Sequence, residues 1–318
     1  MISQKILQYF PPPAYLDTPY AGLAMSDAHI RVIQFVSAGN GEWKIKTYAE
    51  LPLPAGAITA GRVNNPDQIV AVLKQLKEQT GIKYVRVSIP EEKAYLFETE
   101  IPEVDAKQVK STLELKIEEN VPLPLDQIMF DYCLLSPTHA VVSALPVKFV
   151  TIYMSLFHDA GLIPYVLEIE SQAIARALIR PGDAGTYLIM HVSRGKIAMC
   201  VVSERVVHFT STLNPVDTWQ TEPGDIISEI SKVVLYWHNN HSGTREGKKS
   251  IEKIFLSGDI VSTSVTTALS ASLKIDVVMG NVWVNAFDVN ATVPTISFAE
   301  SLQYTAAVGL ALPAESLI

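Results

Sequence analysis

Cysteine is nearly absent: Cys133 and Cys200 are the only two in 318 residues. Two thiols cannot build a disulfide framework, nor a zinc site alone. The chain reads as a reduced, cytosolic protein. Charge is also scarce. Charged residues make up 18%, and 33 acids against 25 bases leave a net charge of −8. A nucleic-acid footprint needs the opposite sign. Long apolar runs are missing too. The most apolar stretch, residues 140–157, falls short of the roughly 20 residues that a spanning helix needs, and Pro146 and Lys148 interrupt it. It reads as a buried strand over 141–145 and a buried helix from Val147. Residues 1–10 are too short for a signal peptide and run into Pro11, Pro12 and Pro13. What remains is a chain that is 48% hydrophobic, long enough for about two domains and too apolar for disorder.

One order of elements occurs twice. Residues 21–25, 29–36 and 43–51 read as three strands, with a turn at Gly39-Asn40-Gly41. A helix follows, with Asn65 as cap, Pro66 in its first position and Gly81 as its end. Ile69, Val72, Leu73 and Leu76 give it one apolar stripe. Residues 84–89 are the next strand. From Asp183 the pattern returns: strands at 186–192, 196–202 and 205–210, with a tight Arg194-Gly195 turn between the first two. A helix from Gly224 carries Ile226, Ile230, Val233, Val234 and Trp237. A strand at 251–256, a helix at 263–273 and a strand at 275–279 complete the unit.

Between the two units, Asp105 reads as the cap of a helix carrying Val109, Leu113 and Ile117, and Pro122 and Pro124 stop it. Strands at 128–135 and 140–145 follow. Residues 92–146 therefore read as a small αββ subdomain inserted in the first half. A helix from Val147, a strand at 164–168 and a helix at 171–178 precede the second unit. The expected architecture is α/β, a duplicated ribonuclease-H-like fold of the actin type with a cleft between its halves. Residues 1–91, 147–182 and about 300–318 make the first subdomain, 92–146 the insertion, and 183–299 the second half. In that arrangement the hairpin between the first two strands of each half faces the cleft, where backbone N–H groups can cradle phosphates.

Short pieces along most of the chain resemble the PilM family, actin-like cytosolic proteins of type IV pilus assembly that are similar to the division protein FtsA. They include Phe10-Pro11-Pro12-Pro13 with Gly22-Leu23-Ala24-Met25-Ser26-Asp27, and Glu50-Leu51-Pro52-Leu53-Pro54. Glu118-Glu119-Asn120-Val121-Pro122-Leu123-Pro124, Glu168-Ile169-Glu170-Ser171-Gln172-Ala173, Leu256-Ser257-Gly258 and Ala307-Val308-Gly309-Leu310-Ala311 continue the set. The resemblance implies a degenerate nucleotide site at Ser26, Asp27, Arg31, Ser193, Arg194, Gly195, Gly258 and Asp259. It places Glu170 where actin-like ATPases orient the attacking water; read alone, Glu170 is an acid favoured by a helix N-terminus.

Three departures matter. Ala24 and His191 stand where the family carries aspartates, and Asp259 stands where it carries a glycine. Magnesium wants carboxylate and water oxygens, which neither Ala24 nor His191 offers. The segment between Thr210 and Gly224 is also shorter than the family's. No metal site is expected; ATP and magnesium are possible ligands only of a weakened site, and hydrolysis is expected to be negligible. Read alone, His191 is a hydrogen-bonded strand residue and Arg194 a solvated turn.

The resemblance also implies a scaffold, a pseudo-ATPase at the inner face of the cytoplasmic membrane. It would bind the cytosolic N-terminal peptide of a PilN-like membrane protein, alongside other pilus assembly proteins, with possible self-association. Lys107, Lys110, Glu114 and Lys116, on the outer face of the inserted helix, are the expected partner contacts. The alternative is an active ATP-binding protein whose nucleotide state controls partner binding or polymerisation. A third reading, an FtsA-like membrane filament, lacks a C-terminal amphipathic helix; Ile2, Ile6, Leu7 and Phe10 are expected to pack on the body instead of touching membrane. Other motifs fall away. Gly243 to Ser250 is spaced wrongly for a phosphate loop, His238 and His241 are too few ligands for a metal, and both cysteines read as small core residues.

Overall fold

The computed structural model describes residues 19–39, 42–214, 224–241, 250–259, 261, 263–287 and 295–313. The reading of residues 1–13, the tip of the Gly39-Asn40-Gly41 turn, the 215–223 segment, the 243–249 loop and the last five residues lie outside these, as does the side chain of His241.

The first half begins with β1 (Ala21–Met25), β2 (His29–Gly39) and β3 (Glu42–Pro52), paired antiparallel in sequence. A two-residue-per-strand hairpin, β4 (Ile58–Thr59) and β5 (Arg62–Val63), leads to α1 (Pro66–Thr80). The Asn65 side chain accepts from the Gln68 N–H, and Gly81 ends the helix at φ 68°. Buried Ile69, Leu73 and Leu76 point into the core, each contributing roughly 1.5–3 kcal/mol by leaving water. Val72 of the expected stripe is only partly buried. β6 (Tyr84–Ile89) then joins β1 in parallel.

The chain next leaves this sheet. β7 (Tyr95–Glu100), α2 (Ala106–Asn120), β8 (Ile128–Ser136) and β9 (His139–Pro146) form a separate antiparallel sheet ordered β7-β9-β8. Val109, Leu113 and Ile117 of α2 close a core against Ile128, Ala140, Val142 and Ala144. The segment is thus βαββ and not αββ. β7 is missing from the sequence reading because its solvent-side positions carry Glu98 and Glu100, which break the apolar signal. Asp105 sits at the cap position, but its side chain makes no cap hydrogen bond. α3 (Val147–Asp159), β10 (Ile163–Ile169) and α4 (Glu170–Leu178) follow, and β10 extends the first sheet beside β6.

The second half repeats the first. β11 (Thr186–Ser193), β12 (Lys196–Ser203) and β13 (Val206–Leu213) pair antiparallel. α5 (Gly224–His241), β14 (Lys253–Gly258), α6 (Thr263–Leu273) and β15 (Asp276–Met279) follow, with both strands parallel to β11's direction. The sheets read β3-β2-β1-β6-β10 and β13-β12-β11-β14-β15, the same order with the same pairing senses. Ile226, Ile230, Val233 and Trp237 of α5 fill the core as their spacing predicts.

The halves are locked by a helix crossing. After the one-turn α7 (Phe298–Ser301), α8 (Thr305–Ala311) returns to the first sheet and lies across α4. A methyl group on Gly309 would stand 1.7 Å from the Ala173 carbonyl oxygen, and one on Gly22 of β1 would stand 2.0 Å from the Ala307 carbonyl oxygen. Backbone therefore meets backbone at both contacts. Ile33, Ile174, Ile189, Val202, Ala307 and Val308 share the core there. Because backbone cannot yield as a flexible side chain can, Gly309→Ala is expected to destabilise by about 3 kcal/mol, measured as a lowered urea midpoint with unchanged slope.

Candidate functional site

Two concave regions flank α4, the cleft between the halves and a groove beside the three-stranded sheet. In the cleft, most of the predicted residues already have a partner or face solvent. The Ser26 hydroxyl donates to the His29 carbonyl and accepts from the Ala28 and His29 N–H groups, closing its own turn. Asp27 accepts from the N–H groups of Ala60 (2.6 Å) and Gly61 (3.1 Å). Those residues sit at φ 47° and 70°, so the carboxylate holds a left-handed turn. Buried Arg31 pairs with Glu50 at 2.9 Å and, across the cleft, with Asp259 at 2.6 Å. Gly258 makes that reach possible. At φ 111° its chain passes so close to Val192 that any Cβ would strike backbone, and the Asp259 N–H donates to the Val192 carbonyl. Ser193 is buried, while Arg194 and Gly195 form an exposed turn, Gly195 at φ 77°.

Deeper in the cleft lies an acidic cluster around one cation. Lys196, at the start of β12, reaches Glu92 at 3.2 Å and Glu170 at 3.6 Å. Burial alone would pull the Lys196 ammonium down, but Glu170, Glu91 and Glu92 outweigh it and raise its pKa. Glu91 accepts from the Ser171 N–H. Burial, with the neighbouring Glu170 charge, pushes Glu91 up to about 7. Across from it His191 shares a 2.9 Å hydrogen bond through Nδ1 with Ser257. Burial lowers His191 to about 4, against the pull of Asp259.

The groove is a cavity of about 430 Å³. The pleat of two strands builds it. Met129, Asp131 and Cys133 of β8 lie opposite Leu145, Ser143 and Val141 of β9, and all six line the cavity. The alternate residues Ile128, Val142 and Ala144 face α2. Val150 of α3, Val166 of β10, Gln172 of α4 and Val207 of β13 add walls. At the floor Glu168 binds Arg86 at 3.0 Å and also Arg176. The two guanidiniums donate onward to the Leu312 and Gly309 carbonyls, anchoring the end of α8. β8 and β10 are edge strands of their sheets.

The model of the type IV pilus assembly protein PilM family matches residues 22–212. The chain belongs to that family. Its fold is the actin-like ATPase fold. Among solved structures it is similar to a PilM–PilN type IV pilus biogenesis complex, with 18% identity, a TM-score of 0.73, and 92% of this chain and 98% of that one covered. It is also similar to the ethanolamine utilization protein EutJ from Carboxydothermus hydrogenoformans, with 12% identity, a TM-score of 0.50, and 95% and 90% covered. No curated protein sequence matches.

In this PilM-family chain several of the cleft side chains expected at a nucleotide site are engaged within the protein. The Arg31 charge is met by two carboxylates, Asp27 is committed to a turn, and Ala24 has no oxygen to give. Among the described residues no group of three His, Cys, Asp or Glu side chains converges to hold a metal. Glu170 faces Lys196 at the start of α4.

The four expected partner residues fall elsewhere. Lys107 and Lys110 are exposed on α2, Glu114 is half-buried, and Lys116 pairs with Glu119 at 2.9 Å. None of them lines the groove. Cys133 is half-exposed in the groove wall and not a core residue, whereas Cys200 is buried. The groove had a sequence signal that went unread: β8 and β9 carry apolar residues on both faces, although α2 covers only one.

Glu91 and His191 line one small cavity, and their titrations oppose each other. Glu91 is raised from 4.5 to about 7, so its contribution to stability is present below pH 4.5 and is lost as pH rises through 7. His191 is lowered from 6.5 to about 4, so its contribution is present above pH 6.5 and is lost as pH falls through 4. Each substitution should expose the other group. Glu91→Gln should lose about 2 kcal/mol of stability between pH 6.5 and 4, and His191→Asn a similar amount between pH 4.5 and 7. Urea midpoints across pH 4–8 measure both slopes.

Proposed function

We propose that this protein is a cytosolic scaffold of the type IV pilus, or of a related secretion system, at the inner face of the cytoplasmic membrane. It binds the cytosolic N-terminal peptide of a PilN-like membrane protein, and that peptide lies extended in the 430 Å³ groove. The groove carries the reading. Its walls carry apolar side chains from β8, β9, α3 and β10 beside Asp131, Ser143, Gln172 and Arg205, and two strand edges border it. An extended segment gains main-chain hydrogen bonds from such an edge, and its alternate side chains fill such a pocket. Membership of the PilM family and likeness to a solved PilM–PilN complex support the assignment. No helix among the described residues is long and apolar enough to cross a membrane.

Under this reading the chain divides as its sequence suggests, with residues 92–146 an insertion between subdomain 1–91 plus 147–182 and half 183–299, and about 300–318 returning to the first subdomain. The cleft has weakened or lost ATP binding, because Asp259 and Glu50 occupy the Arg31 charge that a phosphate would need.

Fluorescence anisotropy with the labelled N-terminal tail of a PilN-like membrane protein tests the groove. Met129 is half-exposed, so Met129→Asp should fold normally and weaken binding at least tenfold, about 1.4 kcal/mol. The double variant Lys107→Glu/Lys110→Glu should stay within twofold of wild type. The reverse pattern would move the peptide to the outer face of α2. Calorimetry with ATP and magnesium should give no micromolar binding.

A further inference from the structure

The cleft and the groove share the first turn of α4. Glu170 and Ser171 point to the cleft, where Glu170 meets Lys196 and the Ser171 N–H donates to Glu91. Ile169 and Gln172, the adjoining positions, and Arg176 one turn beyond Gln172 line the groove. A second connection runs through the other half. Lys196 opens β12, and β12 pairs along its length with β13. The turn between them, Glu204 and Arg205 at φ 52° and 67°, places Arg205, Val206 and Val207 in the groove wall. One residue further on, His208 meets Glu98 of β7 at 3.1 Å, fastening the second half to the groove's own sheet. The groove is therefore walled by both halves, and its shape depends on how they sit together.

Beyond the shared core, ion pairs in the cleft bridge the two halves. Lys196 is the cation facing Glu92 and Glu170 across the halves, with Glu91 beside them. Without it, these carboxylates would face one another in a buried place, where unscreened repulsion is strong. Arg31 and Asp259 form a further tie between the halves, besides His208 and Glu98.

We infer that the interlobe ion pairs of Lys196 and Arg31 hold the peptide groove in its shape, so that opening of the cleft and occupation of the groove are thermodynamically coupled. As regulation of partner binding this rests on the proposed peptide site; the mechanical link does not. Coupling is reciprocal: whatever loosens the cleft weakens the peptide, and a bound peptide tightens the cleft.

The thiols provide the test. Cys133 lies in the groove wall, and Cys200 is buried in the core between the halves. With Ellman's reagent, Lys196→Met and Asp259→Asn should each raise the Cys133 reaction rate at least fivefold while Cys200 stays slow, and Lys196→Arg should restore the wild-type rate. Cys133→Ser identifies the fast phase. The tail peptide, if it binds wild type, should bind Lys196→Met at least fivefold more weakly. A Cys133 rate within twofold of wild type in both folded variants would overturn the coupling. So would a rise in Cys133 matched by Cys200, which reports global unfolding. A Cys133 response in a protein that binds no tail peptide supports the link and removes the partner assignment instead.

Discussion

The close approach of α4 and α8 is the constraint on which the rest depends. Gly309 lets the α8 backbone touch the Ala173 carbonyl, and Gly22 lets β1 do the same at Ala307. Two five-stranded sheets are thereby held around one shared core. The cleft on one side of α4 and the groove on the other both take their geometry from this crossing. Packed interiors do not deform continuously, so a shift at one face of the helix reaches the other.

In the cleft, polar side chains have turned inward on each other. Asp27 serves a turn, Ser26 its own hairpin, and Arg31 is neutralised from both halves. Buried charges are costly to leave alone, and here the protein meets the Arg31 guanidinium with carboxylates of its own. The groove differs: ion pairs hold its Arg86–Glu168–Arg176 floor, and its walls offer apolar surface beside two edge strands.

Much of this was legible beforehand. The cap, first-position proline and closing glycine of α1, the stripe of α5 and the doubled strand order are local signals, and the chain follows them. β7 was hidden because its solvent-facing glutamates erase the apolar pattern of an otherwise half-buried strand. The groove was hidden for a related reason. Lysines on α2 are conspicuous in the sequence, whereas Met129, Cys133, Val141 and Leu145 look like ordinary core residues until the sheet shows that nothing covers their side.

Alone, the order of the residues determined two repeats of βββαβ and the apolar stripes of α1 and α5. These follow from periodicity and side-chain chemistry, which act over a few residues. Only the tertiary structure decided that Arg31 meets Asp259, that Lys196 gathers carboxylates from the other half, and that β8, β10, α3 and β13 enclose one groove. Those contacts join positions far apart in the chain, and pairing across such distances is set by how the sheets and helices pack, which no local pattern encodes.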